Sequence, residues 1–193
     1  MQAAIAHGVR YLTLYAFSVE NWQRPRDEVQ GLMGLLRLVL REELAEMGRE
    51  GVRLRAMGRL QDLPEAVREE LESAIEKTKA NTKLDLILAL SYGSRVEITE
   101  AAKAIAREVK FGQLEAEKIT EETISQHLYT RDLPDPDLLI RTSGEMRISN
   151  FMLWQISYAE IHVTPVLWPD FGKEEFTAAL ADYARRDRRF GGI

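Results

Sequence analysis

From Leu84 to Leu90 the chain reads Leu-Asp-Leu-Ile-Leu-Ala-Leu, nearly all apolar. A strand with one wet face alternates apolar and polar residues. A run that stays apolar on both sides has to be covered on both sides, as the central strand of a layered α/β protein is. The rest of the chain must therefore supply helices for two faces and further strands for two edges.

It does so by alternation. A short helix over Met1 to His7, closed by Gly8 as a left-handed cap, precedes a strand over Tyr11 to Phe17. A long helix runs from about Pro25 to Met47. Proline suits its first turn, and Val29, Leu32, Met33, Leu36, Val39, Leu40 and Leu44 recur at helical spacing. Leu35 and Leu38 widen that apolar face, which suits either a deeply packed core helix or the wall of a hydrophobic channel. Val52 to Met57 alternates as a strand, and Pro64 to Ala80 has helical spacing. Ser94-Arg-Val-Glu97 has capping-box form and opens a helix carrying Ile98, Ala101, Ala102, Ile105 and Val109 on one side. Thr120 caps a short helix to about Tyr129. A strand over Asp137 to Ile140, a helical turn around Asn150 to Ile156, a strand over Ile161 to Val166 and a helix from Gly172 to about Arg186 complete the order. Strands alternating with helices imply an α/β fold with a mostly parallel sheet covered on both faces, in a single domain over 1–193.

Composition bounds the class. With 26 Lys+Arg against 31 Asp+Glu the net charge is −5, so no global basic field points to nucleic acid. Zero cysteines exclude disulfides and thiolate metal sites. No apolar run approaches a membrane span, so the chain reads as cytoplasmic, with contact at a membrane surface left open.

Ligands in parallel sheets collect beyond the carboxyl ends of the strands. Three polar segments fall there: Ser18 to Arg24, Ser91-Tyr92-Gly93, and Arg141 to Ser149. In the last, Arg141 and Arg147 flank the small-residue turn Thr142-Ser-Gly144, and Ser149 follows. Two guanidinium forks, a hydroxyl and free backbone N–H groups can hold a diphosphate. The plainer alternative is two surface arginines paired to Glu145 and Asp137. Asn21, Trp22 and Arg24 could grip a phosphate while covering an apolar group, or be a turn residue, a core anchor and a solvated charge. Glu160 sits at the edge of an apolar run, either as a Mg²⁺ ligand or in an ordinary salt bridge to an arginine. His7, His127 and His162 have no metal-ligand spacing and read as structural or exposed.

Taken together these residues resemble the cis-prenyltransferases, the undecaprenyl diphosphate synthase family. The matches are Leu12-Thr-Leu-Tyr-Ala-Phe-Ser18, Glu20-Asn-Trp22, Arg24-Pro25, Asp137-Leu-Leu-Ile-Arg-Thr142, Gly144-Glu145, Arg147-Ile-Ser-Asn-Phe151, Leu153-Trp-Gln155, Tyr158-Ala-Glu160, Leu167-Trp-Pro-Asp-Phe171 and Arg188-Arg-Phe-Gly-Gly192. The resemblance implies an enzyme that elongates an allylic diphosphate, usually farnesyl diphosphate, by cis additions of isopentenyl diphosphate, with Mg²⁺ and as a homodimer. It implies that Arg141, Arg147, Ile148 and Ser149 hold isopentenyl diphosphate and that Glu160 takes part in the Mg²⁺ site. It makes Ser18, Val19, Glu20, Trp22 and Arg24 substrate-binding and places Asn21 where proton removal occurs. Arg189 and Gly191 would help close the isopentenyl site across the dimer. The long helix and the Leu84 to Leu90 strand would wall a tunnel for the product.

There are departures from that pattern. The family opens with a strand and an Asp-Gly-Asn-Gly-Arg-Trp loop that holds the allylic diphosphate, and neither is in this sequence, so a truncated domain is expected. Ile87 and Ser91 stand where asparagines are frequent, and Val96 where a tryptophan is usual. The alternative is a non-catalytic partner-type subunit that keeps the isopentenyl diphosphate site and the dimer surface.

Overall fold

The computed structural model describes residues 1–187, and Arg189 and Gly191 of the basic tail lie outside the described residues. The chain runs α1 (Gln2–Ala6), β1 (Tyr11–Ser18), α2 (Arg26–Glu50), β2 (Val52–Met57), α3 (Glu65–Thr78), β3 (Leu84–Tyr92), α4 (Ser94–Lys110), α5 (Glu121–His127), β4 (Leu138–Arg141), β5 (Glu160–Val163) and α6 (Lys173–Ala184). All strand pairs are parallel. They form the expected parallel α/β arrangement, hydrogen-bonded in two groups, β1-β3-β2 and β4-β5.

β3 is buried along its whole length. Over Leu84 to Leu90 its residues divide by the two-residue period of a strand. Leu84, Leu86, Leu88 and Leu90 join Leu54 and the α2 and α3 residues Met33, Leu40, Met47, Val67 and Leu71 in one core cluster. Ile87 and Ala89 join Met57, Tyr92, Phe151 and Met152 in another. Each such side chain contributes about 2 kcal/mol by burial, so a polar residue on this strand needs a strong partner. Asp85 has one: Arg53 donates to both its oxygens, at 2.8 and 2.6 Å.

α2 runs to Glu50, past the expected end, and Gly51 closes it at φ 71°. Leu35 and Leu38, expected on a widened apolar face, are 55% and 50% exposed. Two open grooves do lie between α2 and α3. One of about 220 Å³ is lined by residues including Val29, Met33, Pro64 and Val67. The other, of about 280 Å³, is lined by residues including Leu40, Leu44, Ser73 and Ala74. No β3 residue lines either, so the strand expected as a wall is sealed behind the helices.

The capping box expected at Ser94 and Glu97 is absent. Gly93 is the N-cap of α4, and Ser94 Oγ accepts Leu153 N–H at 2.9 Å. Glu97, 1% exposed, accepts Tyr92 Oη–H at 2.6 Å and Tyr129 N–H at 2.8 Å. Both side chains fasten later segments onto α4 instead of closing its first turn. The helical turn expected around Asn150 to Ile156 is a set of turns and bends.

Candidate active site

The carboxyl ends of β1, β3 and β4 meet at one rim. β1 passes into a 3-10 turn, Val19–Gln23, where a plain loop was expected. Asn21 Oδ1 accepts Ser18 N–H at 2.9 Å and so closes that turn. Trp22 stands edge-on to Phe17, with ring centroids 4.9 Å apart. Arg24 is exposed and paired to Glu28 one helical turn on.

At the end of β3, Gly93 is where two other segments close in. A Cβ there would lie 2.7 Å from Val19 Cγ2 and 2.8 Å from Asn150 Nδ2, so no larger residue fits without moving one of them. Asn150 is the hub. Its Nδ2 donates to Glu20 Oε1 at 2.9 Å, its Oδ1 accepts Arg95 N–H at 2.9 Å and its carbonyl accepts Ser94 N–H at 2.8 Å. Burial pushes the Glu20 carboxyl up, but the Asn150 hydrogen bond and others outweigh it and leave it below the usual range. Tyr15, stacked on Phe151 at 4.5 Å, donates its hydroxyl to the Tyr92 carbonyl at 3.1 Å. Burial, and then the Glu20 charge, push that phenol up to about 12.

The segment after β4 makes a compact turn. Ser143 and Gly144 donate backbone N–H groups to the carbonyls of Val166 and Thr164, each at 2.8 Å. Within the turn Glu145 takes both arginines, Arg141 by a short contact and Arg147 at 2.7 Å. The Arg141 guanidinium foremost holds the Glu145 carboxyl below its ordinary value. Pairing with Glu145 was the plainer alternative in sequence, but it leaves Arg141 incomplete: its Nε is buried and has no acceptor. Among the described residues, the non-glycine positions with positive φ are Ser91, Ser143, Ser149, Asn150 and Met152. Ser91 stands at the end of β3 beside the turn after β1, and the other four lie in the segment after β4. Such backbone costs about 1–3 kcal/mol per residue and persists only where the surroundings over-determine it.

Ser149 and Asn150 thus bring the segment after β4 to Tyr15 and Glu20, while Arg141 and Arg147 stand in the turn just before them with half-buried Ile148, and Ser149 is exposed. Glu160 is elsewhere. It opens β5 opposite Leu138, whereas Arg141 stands opposite Val163 at the other end of the pair, about 10 Å along the strand. Its Oε2 accepts Arg186 Nη1 at 2.8 Å, which is the ordinary salt bridge left open above. Among the described residues no group of three or more His, Asp or Glu could hold a metal ion. Mg²⁺ takes one or two carboxylates together with substrate phosphates and water, and Glu160 offers one such carboxylate, which Arg186 neutralises here. The three histidines each have a polar partner: His7 with Thr177, His127 with Glu108, and His162 with Asp182.

Asn150, Tyr15 and Gly93 carry the junction; Gly93 was placed at the rim in sequence with Ser91 and Tyr92, whereas Asn150 and Tyr15 appeared only inside matched stretches. Gly93 gave the one usable signal, a glycine directly after a strand. No helix among the described residues is long and apolar enough to cross a membrane.

Comparison with known proteins gives a consistent answer. The family model described as undecaprenyl diphosphate synthase matches residues 1–191. An isoprenyl transferase of Heliobacterium mobile is 56% identical over 187 residues, covering 97% of this chain and 72% of that relative. An isoprenyl transferase of Agrobacterium fabrum is 53% identical over 193 residues, covering 100% of this chain and 78% of that relative. Among solved structures, lavandulyl diphosphate synthase from Lavandula x intermedia in complex with dimethylallyl diphosphate superposes with a TM-score of 0.96 at 39% identity, covering 99% of this chain and 83% of that one. A probable undecaprenyl diphosphate synthase from Campylobacter jejuni gives 0.87 at 41% identity, over 100% of this chain and 88% of that one.

Proposed function

This chain belongs to the undecaprenyl diphosphate synthase family of prenyltransferases, and from that premise we propose that it is an isoprenyl transferase joining isopentenyl diphosphate to an allylic diphosphate, farnesyl diphosphate foremost, in cis, to build a long-chain polyprenyl diphosphate. The observation that carries the reading is Arg141, whose Nε–H is buried without an acceptor at the ligand end of β4. The Arg141 charge is paired with Glu145, but its Nε–H is left over, and a shift of the side chain toward a diphosphate oxygen would supply the missing acceptor.

The residue roles follow from chemistry. Arg141 and Arg147 grip the diphosphate of isopentenyl diphosphate as charged forks, with Ile148 beside them and the Ser149 hydroxyl as a further donor. Ser18, Val19, Glu20, Trp22 and Arg24 border the substrate from the β1 side. Arg189 and Gly191 are assigned to closing the same site from a second subunit. In the reaction the allylic C–O bond breaks and its electron pair leaves with the diphosphate. The isopentenyl double bond forms the new C–C bond, and a proton then leaves the isopentenyl unit. Guanidinium groups aimed at the diphosphates stabilise the charge that develops. Asn21 is assigned to orienting the reacting group, since a carboxamide is no base at neutral pH and its oxygen already accepts Ser18 N–H. A diphosphate oxygen is the natural proton acceptor.

Mg²⁺ is assigned on family grounds, with Glu160 the carboxylate put forward for it, and no step here is routed through it. The mainly apolar groove lined by Val29, Met33, Pro64 and Val67 suits a growing chain, since each buried methylene contributes about 0.8 kcal/mol. A homodimer is part of the proposal, supported by Tyr158, Ile161, Leu167 and Trp168, which leave an apolar surface beside the β5 edge. Transient contact with a membrane surface would serve product release.

The test is incorporation of labelled isopentenyl diphosphate into polyprenyl product by this chain with farnesyl diphosphate and Mg²⁺, resolved by chain length. Calorimetry on the folded chain reports binding separately. A folded chain that neither binds isopentenyl diphosphate nor forms product would sink the reading.

A further inference from the structure

The turn after β1 is tied down by a hydrogen-bond chain that none of the roles above requires. Trp22 Nε1 donates to Ser91 Oγ at 2.9 Å, and Ser91 Oγ donates to Asp62 Oδ2 at 3.0 Å. The directions are forced: an indole N–H only donates and a carboxylate only accepts, so the hydroxyl passes its single proton to Asp62. Arg59 Nε reaches the same Asp62 oxygen at 3.1 Å, and Arg59 N–H donates to the Ser91 carbonyl at 3.2 Å.

Ser91 is fully buried and has φ 45°. A left-handed, buried serine is retained only where its surroundings hold it, and here its hydroxyl is satisfied on both sides. Asp62 ends the short 3-10 helix Leu60–Asp62, from which buried Leu63 leads through Pro64 into α3. Pro64 and Val67 line the smaller groove between α2 and α3. Three side chains thus connect the turn at the charged rim to the first turn of the helix that walls the apolar groove.

We propose that Ser91 and Asp62 are positioning residues that hold Trp22 in register with the start of α3. They thereby fix the spacing between the diphosphate rim and the apolar groove, and with it the lengths of prenyl chain the enzyme makes. The link to chain length rests on the function proposed above; the mechanical coupling does not.

Two variants at Ser91 separate hydroxyl from backbone. Ser91→Gly accepts the left-handed conformation and deletes the hydroxyl. Ser91→Asn also tolerates that conformation, and its carboxamide can accept from Trp22 and donate to Asp62. Asp62→Ala cuts the chain at its far end, leaving Ser91 in place. Three readouts are taken on the full chain. The first is the Trp22 indole N–H resonance of ¹⁵N-labelled protein, assigned with Trp22→Phe. The second is hydrogen exchange at Val67 and Arg68, whose N–H groups bond Pro64 O at 2.9 and 3.0 Å. The third is the product-length distribution with farnesyl and isopentenyl diphosphates.

Ser91→Gly and Asp62→Ala are expected to shift the Trp22 resonance and to speed exchange at Val67 and Arg68 by about tenfold, with β2 and β3 amides unchanged. The product distribution should broaden while KM for isopentenyl diphosphate stays within about twofold. Ser91→Asn should restore all three. The proposal is overturned if Ser91→Gly leaves Trp22 and Val67 as they were, if exchange rises equally throughout the sheet, or if Ser91→Asn restores nothing. Absence of product from the unsubstituted chain would count against the proposed function alone, because the two magnetic-resonance readouts still decide the coupling.

Discussion

Asn150 Nδ2 donates to Glu20 Oε1 at 2.9 Å and so joins the turn after β1 to the segment after β4 across 130 residues of chain. The bond can be turned into a repulsion with little change of shape. Asn150 has φ 62°, a conformation that Asn and Asp both tolerate, so Asn150→Asp keeps the backbone. It also keeps the Oδ1 acceptor used by Arg95 N–H, but sets a second carboxylate against Glu20. One carboxyl of the resulting pair then has its folded pKa raised above the unfolded value of about 4. A raised group contributes fully below the unfolded pKa and loses that contribution as pH rises through the folded one. The variant is therefore expected to lose about 1–3 kcal/mol at pH 7 relative to the parent, and to recover most of it near pH 4. Urea unfolding of both proteins at the two pH values checks this; an equal difference at both would refute it.

Arg147 separates binding from stability. Its side chain is 68% exposed and its bond to Glu145 lies at the surface. Arg147→Ala should change unfolding free energy by no more than about 0.5 kcal/mol. If it grips the isopentenyl diphosphate, the same change should weaken that ligand by about 2 kcal/mol, near thirtyfold in Kd. Calorimetric titration of isopentenyl diphosphate, run beside a urea melt, reads both. Unchanged affinity would remove Arg147 from the site.

Gly93 makes a steric prediction. An added methyl would press on Val19 Cγ2 and Asn150 Nδ2 at 2.7 and 2.8 Å, so Gly93→Ala must displace a side-chain end on each of the two segments. Overpacking of this kind costs about 1–3 kcal/mol. If the rim takes the substrate as proposed, activity should fall further than stability. A thermal melt and a turnover assay, compared at a temperature where both proteins are fully folded, separate the two effects; a variant with parental turnover would show that the close approach is only packing.

What was legible in the sequence was whatever obeyed a period. The apolar run of β3 and the helical spacing of α2 and α3 announced buried surfaces, and the two faces of β3 divide as a strand's period requires. Local motifs served less well when a distant segment competed for the same atoms. Ser94 and Glu97 have capping-box spacing, but Leu153, Tyr92 and Tyr129 take their hydrogen bonds. Positive φ at Ser143, Ser149, Asn150 and Met152 could not be read, since none is glycine and the constraint on each comes from the fold. Arg141 and Arg147 were put forward from their chemistry. Glu160 was put forward as an acid at the edge of an apolar run and from the family resemblance; the parallel pair puts it, at the start of β5, at the opposite end from the finish of β4.

His127 carries the chain's clearest pH dependence near neutrality. It is the last residue of α5, where a cation is favoured. Its Nδ1 lies 2.7 Å from the Thr123 carbonyl and its Nε2 lies 2.8 Å from Glu108 Oε1. Both partners only accept, so both ring nitrogens must donate, and only the imidazolium can do that. The Glu108 hydrogen bond first, and the Thr123 carbonyl next, raise its pKa above the ordinary value. The contribution to stability is therefore complete below the unfolded value of about 6.5 and is lost as pH rises through the higher folded value. Solvent at the half-exposed Glu108 keeps the size to about 1 kcal/mol. His127→Gln should lower stability at pH 6 by that amount and leave pH 9 nearly unchanged, flattening the profile between them. Glu108→Gln should flatten it less, because the Thr123 carbonyl still favours the charged ring. A His127→Gln profile parallel to the parent's across this range would mean that the ring sits neutral at this junction.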